Sequence, residues 1–219
     1  MKIIKVKNLH FSYDNVKVLK GINLEINEGE IISIIGPSGS GKTTLLNLLG
    51  TLEKLDDGDI LINEESILGL SDEQLASIRN KKIGFIFQFH NLLEEFTAIE
   101  NVYLPALIAG IDIKIAKKQA KELLLYFGLI SRIDHMPNEL SGGELQRVAV
   151  ARALINKPSI VLADEPSGNL DSKHANDLHK LLLKINRDRG QTIIIVTHNN
   201  DLANLGNRKL EMIDGKLIS

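Results

Sequence analysis

The chain contains no cysteine. Disulfides, thiolate nucleophiles and cysteine metal sites are therefore excluded, and the absence suits a reducing compartment. An excess of positive charge is missing too: 26 Lys and Arg stand against 28 Asp and Glu, for a net charge of −2. A nucleic-acid-binding surface shows the opposite balance, so that class is set aside. No long apolar run occurs. The longest uncharged stretches, Asn101 to Ile111 among them, are well short of the ~20 residues a membrane helix needs. The N-terminal "MKIIKVKNLHF" alternates charged and apolar residues and lacks the continuous apolar core of a signal peptide. There are no repeats and no low-complexity tracts. No H-E-x-x-H spacing and no G-x-S-x-G elbow is present, which argues against a zinc protease and a serine hydrolase. His10, His90, His135, His174 and His179 read as surface or structural. These absences predict a soluble, cytoplasmic protein with no nucleic-acid partner. Any work at a membrane then needs another chain to provide the span.

What is present is ordinary globular composition, 43% hydrophobic and 25% charged over 219 residues, enough for one large domain or a domain with an inserted lobe. Residues 3–35 read as β structure, with alternation in "IIKVKNLHFSY", a turn at "NEGE" and a short buried strand in "EIISIIG". "KTTLLNLLGTL" has helical spacing. "LSDEQLASIR" opens with a capping box, Ser71 and Gln74. "KIGFIFQ" is a further apolar strand. Helix formers dominate from residue 92 to 155, with "IKIAKKQAKELLLYFGL" the clearest amphipathic segment. Strand signals return in "SIVLADE" and "QTIIIVTH", separated by the helix-like "SKHANDLHKLLLKINRDRG". Apolar strands alternating with helices predict an α/β core with a parallel sheet and flanking helices, preceded by an antiparallel part. Residues 1–91 and 156–219 would form that core and 92–155 an inserted helical lobe.

"GPSGSGKTT" fits G-x-x-x-x-G-K-[ST] and lies between a predicted strand and a predicted helix, the context a P-loop requires. Gly36, Gly39 and Gly41 let successive N–H groups turn inward to phosphate oxygens, with Ser38, Ser40 and Thr44 on the same loop. The helix N-terminus behind them adds partial positive charge. Lys42 is placed to neutralise the β- and γ-phosphates and Thr43 to ligate Mg²⁺. A dinucleotide fingerprint would need glycine where Thr44 stands, so that alternative fails. A P-loop enzyme also needs an acidic residue at a neighbouring strand end. "IVLADE" supplies Asp164 for magnesium, and Glu165, one residue on, fits a general base that polarises water. His198 ends "IIIVTH" and is a candidate contact for the γ-phosphate and the carboxylate. Gln88 ends "GFIFQ" and is a candidate neutral ligand of Mg²⁺ or of the attacking water. Tyr13 is a candidate adenine stack, or a half-buried strand tyrosine.

A second loop, "LSGGELQR", has two readings. Ser141 and Glu144 fit a helix-opening capping box. Gly142 and Gly143 cost helix stability but bare backbone N–H groups that bind anions. The pattern alone leaves open whose phosphate such a loop meets.

"GPSGSGKTT", Gln88, "LSGGELQR", "IVLADEP", "GNLD" and His198, in this order and spacing, resemble the ATP-binding-cassette ATPases over essentially the whole chain. The resemblance implies a P-loop ATPase fold, ATP and Mg²⁺ as cofactors, and head-to-tail pairing of two copies. It further implies that Ser141, Gly142 and Gly143 close over the partner's nucleotide, with Asp171 at the same interface. With no second cassette, coiled coil or basic arm, and with the sequence ending soon after "MIDGKLIS", it implies a transport ATPase working through integral membrane subunits. Such a protein would lie peripherally on the inner face of the inner membrane. "FQFHNLLEEFTAIENV" is similar to the lipoprotein-releasing branch, and "EPSGNLD" to the broader group that also includes macrolide-export and cell-division ATPases. Phe89, Leu92, Leu93 and Phe96 in that stretch are expected to meet the membrane partner. The macrolide-export or cell-division branches, with another cargo, are the alternative. Glu144 and Ser167 depart from the commoner glutamine and threonine. A non-hydrolysing scaffold is disfavoured, because ATP used only as dimer glue needs no base such as Glu165.

Overall fold

A computed structural model describes residues 1–55 and 57–218. Alternating burial builds the first sheet. β1 (Lys2–Tyr13) and β2 (Val16–Asn27) pair antiparallel with Tyr13 opposite Val16. β4 (Asp57–Ile62) takes the other edge of β1, and β5 (Glu65–Ser66) pairs with β4. The strand order is β2-β1-β4-β5.

The apolar runs form the second sheet. β3 (Ile31–Ile35), β6 (Ile83–Phe87), β7 (Ile160–Asp164), β8 (Thr192–Val196) and β9 (Arg208–Ile213) run parallel, and β10 (Lys216–Ile218) closes the edge antiparallel to β9. The order is β10-β9-β3-β8-β7-β6. Successive side chains of these strands point to opposite faces, which is why neither face can be polar. Ile32, Ile34, Leu162, Ile194 and Val196 pack with the antiparallel sheet and with α1 (Lys42–Leu49). Ile31, Ile86, Val161, Ala163, Ile193 and Ile195 pack on the other side. There they join α3 (Ala98–Ile108), α4 (Ile113–Tyr126), α5 (Gly142–Leu154) and α6 (Ser172–Arg189) in one apolar cluster.

The α/β architecture with an N-terminal antiparallel part is the one the sequence predicts. The helices of the segment 92–155 share an unbroken core with one face of the parallel sheet. Helix starts follow side-chain chemistry. The Ser71–Gln74 capping box opens α2 (Asp72–Lys82), and boxes at Thr97–Glu100 and Ser141–Glu144 open α3 and α5. Each such cap stabilises its helix by about 1 kcal/mol. A four-residue helix, α7 (Asn200–Ala203), precedes β9.

Because β3, β6, β7 and β8 are parallel, their C-terminal ends share one edge of the sheet, where ligands of α/β proteins bind. That edge carries the loop after Ile35, Gln88 after Phe87, Glu165 after Asp164 and His198 two residues after Val196.

Candidate active site

The loop from Gly36 to Thr44 folds into a cradle. Gly36 has φ 152 and lies so close to the carbonyl of Met212 that a Cβ there would collide with it. Gly41, with φ 102, is the left-handed residue that starts α1. Lys42 is almost fully buried, and its ammonium donates to the carbonyls of Gly36 at 3.0 Å and Pro37 at 2.8 Å. The cation is thus held inside the loop by its own backbone. The loop, with Glu165, Val196 and His198, lines a cavity of about 490 Å³.

Thr43 donates its hydroxyl to Asp164 Oδ1 at 3.4 Å across the mouth of this cradle. Burial pushes the Asp164 carboxyl above its ordinary range, and the neighbouring Glu165 charge adds to that push. Among the described residues no group of three or more His, Cys, Asp or Glu gathers in metal-binding geometry. A hydroxyl and one carboxylate are nevertheless the hard oxygen donors that suit Mg²⁺, which takes one or two protein ligands and completes its shell with phosphates and water. The residues present therefore fit the ion.

Glu165 sits at φ 43, a left-handed conformation that costs roughly 1–2 kcal/mol for a residue with a side chain. The strain is offset by a set of hydrogen bonds. Its N–H donates to Val196 O at 2.9 Å, Thr197 Oγ1 donates to Oε2 at 2.9 Å, and Oε1 accepts from the His198 backbone N–H at 2.9 Å. The ring Nδ1 of His198 lies 2.6 Å from the same Oε1. Since a carboxylate only accepts, Nδ1 carries the hydrogen of this bond. The carboxylate is largely covered, with 18% of the side chain exposed, against 74% for His198.

Gln88 is engaged elsewhere. Its Nε2 donates to Asn169 Oδ1 at 3.0 Å, and Asn169 Nδ2 returns a bond to Gln88 O at 3.2 Å. Gly168 lets this happen, because a Cβ there would stand 2.9 Å from Gln88 Nε2. Tyr13 is exposed over 43% of its surface, donates to Glu53 Oε1 at 3.2 Å and lies within hydrogen-bond reach of the Thr44 hydroxyl. Its ring therefore stands beside the end of the P-loop.

The second loop is built as a helix cap that leaves Gly142 exposed and Gly143 buried. Glu144 Oε2 accepts from Ser141 N at 2.9 Å and Ser141 Oγ at 2.8 Å, and Arg132 Nε donates to Oε1 at 3.0 Å. Led by the Ser141 backbone bond, these interactions hold the Glu144 carboxyl down at about 2. Asp171 caps α6 through Oδ1, which accepts from His174 N at 2.9 Å. Hydrogen bonds from His174, backbone and ring, keep its carboxyl below the usual range.

Sequence reading gave no specific role to several residues that organise these loops. His90, read as surface or structural, is half-buried against the backbone of Gly142 and Gln88, and desolvation pushes its imidazole down. Arg152 of α5 donates to the carbonyls of His90 at 2.7 Å and Asn91 at 2.5 Å. Buried Asn101 accepts from Leu93 N at 2.8 Å and donates to the carbonyls of Leu93, Phe96 and Thr97. The only sequence signal for any of these was polarity inside an apolar period. In the loop they fix, Phe89 is 71% exposed and Leu93 and Phe96 are partly so, whereas Leu92 packs onto the core.

A larger cavity of about 560 Å³ lies among Lys114, Lys118, Lys157 and Arg189. It adjoins residues that precede β7 and β8, at the strand ends opposite the P-loop. No motif reaches it, so the smaller cavity is the site.

A parallel sheet with a P-loop, a strand-end Asp–Glu pair and a helix-capping glycine loop defines a P-loop ATPase of the cassette type. The ABC transporter family matches residues 19–168. The chain is 53% identical over 98% of its length to the lipoprotein-releasing system ATP-binding protein LolD of Bacteroides thetaiotaomicron, covering 99% of that protein. It is 52% identical over 99% of its length to LolD of Bacteroides fragilis, covering all of it. The dimeric structure of MJ0796, a bacterial ABC transporter cassette, superimposes with a TM-score of 0.89 at 43% identity, covering 99% of this chain and 97% of that one. A dimeric post-hydrolysis state of the same cassette, bound to ADP and Pi, gives 0.88 at 42% identity over the same shares of the two chains. The chain belongs to the ABC transporter family, among ATPases of the LolD type, and it binds and hydrolyses ATP.

Proposed function

We propose that this ATPase drives the release of lipoproteins from the inner membrane. In this reading it works as a head-to-tail dimer docked on integral membrane subunits at the inner face of that membrane. The observation that carries the cargo is the near-full-length identity to LolD proteins, 53% in the first case.

Within the site, Gly36, Ser38, Gly39, Ser40, Gly41 and Thr44 bind the phosphates, and Lys42 moves from two carbonyls to the β- and γ-phosphate oxygens. Tyr13 stacks on the base. Thr43, Asp164 and Gln88 hold Mg²⁺, with Gln88 first leaving Asn169. The ion, when bound, neutralises charge on the β- and γ-phosphates. Glu165 orients the attacking water and accepts its proton, and His198 fixes the carboxylate while its Nε2 faces the γ-phosphate. Ser141, Gly142, Gly143 and Asp171 close over the nucleotide of the partner copy, as the dimeric cassette neighbours support. Residues 1–91 and 156–219 act as the nucleotide-holding body and 92–155 as the helical lobe, and the segment 89–101 at their junction meets the membrane subunits through Phe89, Leu93 and Phe96.

Reconstitution with lipoprotein-releasing membrane subunits tests the reading. ATP should release an acylated lipoprotein from proteoliposomes to an acceptor. Hydrolysis stimulated by a drug or a peptide, with no lipoprotein released, would move the protein to the macrolide-export or cell-division branch.

A further inference from the structure

His174 belongs to none of the motifs, yet it joins two of them. Its ring Nδ1 lies 2.7 Å from Asp171 Oδ2, and its backbone N–H donates to Asp171 Oδ1 at 2.9 Å. Both oxygens of that carboxylate are therefore taken by one residue. As with any carboxylate acceptor, Nδ1 is the donor. The other edge of the ring meets the glycine loop. A Cβ on Gly143 would collide with His174 Cδ2, and would stand 3.2 Å from Cγ and 3.3 Å from Nε2. Gly143 is thus bare partly because an imidazole occupies the place of its side chain.

The ring is not held by packing alone. A small cavity of about 70 Å³ lies beside it, lined by Gly143, Gln146, Leu170, His174 and Asp177. About a third of the side chain is exposed. With room to turn, the ring keeps its position through the bond to Asp171. Without that bond it can rotate into the cavity, and Gly143 loses the surface against which it rests.

We propose that His174 is a positioning residue for the half of the ATP site supplied to the partner subunit. It sets the distance and angle between Gly143 and Asp171, so both meet the facing nucleotide as one preformed surface. A surface arranged before binding costs less ordering when the dimer closes. The inference rests on the head-to-tail reading above, and the test separates the two.

The test uses the full chain carrying Glu165→Gln, with ATP-dependent dimerisation followed by sedimentation. His174→Ala should raise the ATP concentration for half-maximal dimerisation by ~10-fold or more, the lower end for losing a hydrogen bond to a charged group. His174→Asn, whose Nδ2 can replace Nδ1, should stay within ~3-fold of the parent, well inside that range. Unchanged thermal unfolding confirms that both variants fold. In mixed dimers built from differently tagged chains, a Lys42→Ala chain is paired with a His174→Ala chain. Both lesions then share one site and the other is intact, so about one ATP per dimer should be trapped. Placing both substitutions in one chain, beside an unmodified partner, should damage both sites and trap less.

Ser141→Arg in place of His174→Ala provides the control. If the Ser141→Arg pairs show the crossed pattern and the His174→Ala pairs do not, the positioning role is overturned while the head-to-tail reading stands. If neither shows it, the head-to-tail reading fails and this inference fails with it. Equal dimerisation by His174→Ala and the parent also overturns it.

Discussion

Glu165 Oε1 accepts twice from His198, once from the backbone at 2.9 Å and once from ring Nδ1 at 2.6 Å. The histidine therefore holds the carboxylate through both its backbone and its ring. Replacing it with alanine removes a charge-assisted bond and leaves the backbone one. His198→Ala should lower kcat by ~10–100-fold, the range for a hydrogen bond to a charged group, with the KM for ATP changed far less. Steady-state phosphate release checks this. A rise in KM alone would assign the ring to nucleotide binding instead.

Glu165→Gln keeps an oxygen for Thr197 and His198 but removes the basic site. Turnover should fall at least ~10²-fold, the lower end for a general base. ATP-dependent dimers should accumulate in size-exclusion chromatography. Hydrolysis near the parent rate would remove Glu165 from the chemistry.

Asp164 gives a prediction of opposite sign for stability and activity. Its carboxyl is raised by burial and then by the Glu165 charge, so the folded chain binds that proton more tightly than the unfolded chain. The ionised group opposes folding at neutral pH, and this cost disappears as pH falls through the raised value. Without nucleotide, Asp164→Asn should therefore melt above the parent at pH 7, by about 2–4 °C per kcal/mol recovered in a domain of this size. The gap should close toward acid. Its Mg²⁺-dependent turnover should be lost. A variant that melts lower at pH 7 would show that the Thr43 bond outweighs the burial.

Glu144 behaves in the reverse sense. Its carboxyl is held at about 2, led by the bond from Ser141 N, so its contribution is full above the unfolded value near 4.5. It fades as pH falls from there toward 2. Glu144→Ala should cost about 0.5–2 kcal/mol at pH 6, the range for a lost helix cap. Thermal melts of the two chains should converge between pH 4.5 and 2. A constant offset across that window would mean that the cost is not electrostatic.

The strands and the P-loop were legible because local chemistry decides them. Ile31–Ile35, polar only at Ser33, and residues 160–163 are apolar without alternation, which suits a sheet covered on both faces. The cradle was legible because Gly36 and Gly41 stand where a side chain cannot. Long-range side-chain contacts onto the loops were not legible. Asn169 on Gln88, Arg152 on His90 and Asn91, and His174 against Gly143 each join residues far apart in the chain, and a polar residue within a period does not reveal its partner. Leu92 was expected on the docking surface with Phe89, yet it packs inward while Phe89 stays exposed. A polar or apolar side chain in a loop carries no period from which its direction can be read.

The guanidinium of Arg152 grips the carbonyls just after Phe89, and Ser141 caps the same helix eleven residues earlier. At 1.5 Å per residue these points are about 16 Å apart on one rigid rod. The exposed phenylalanine and the glycine loop are therefore tied together twice, once along α5 and once through His90, which rests against the backbone of Gly142.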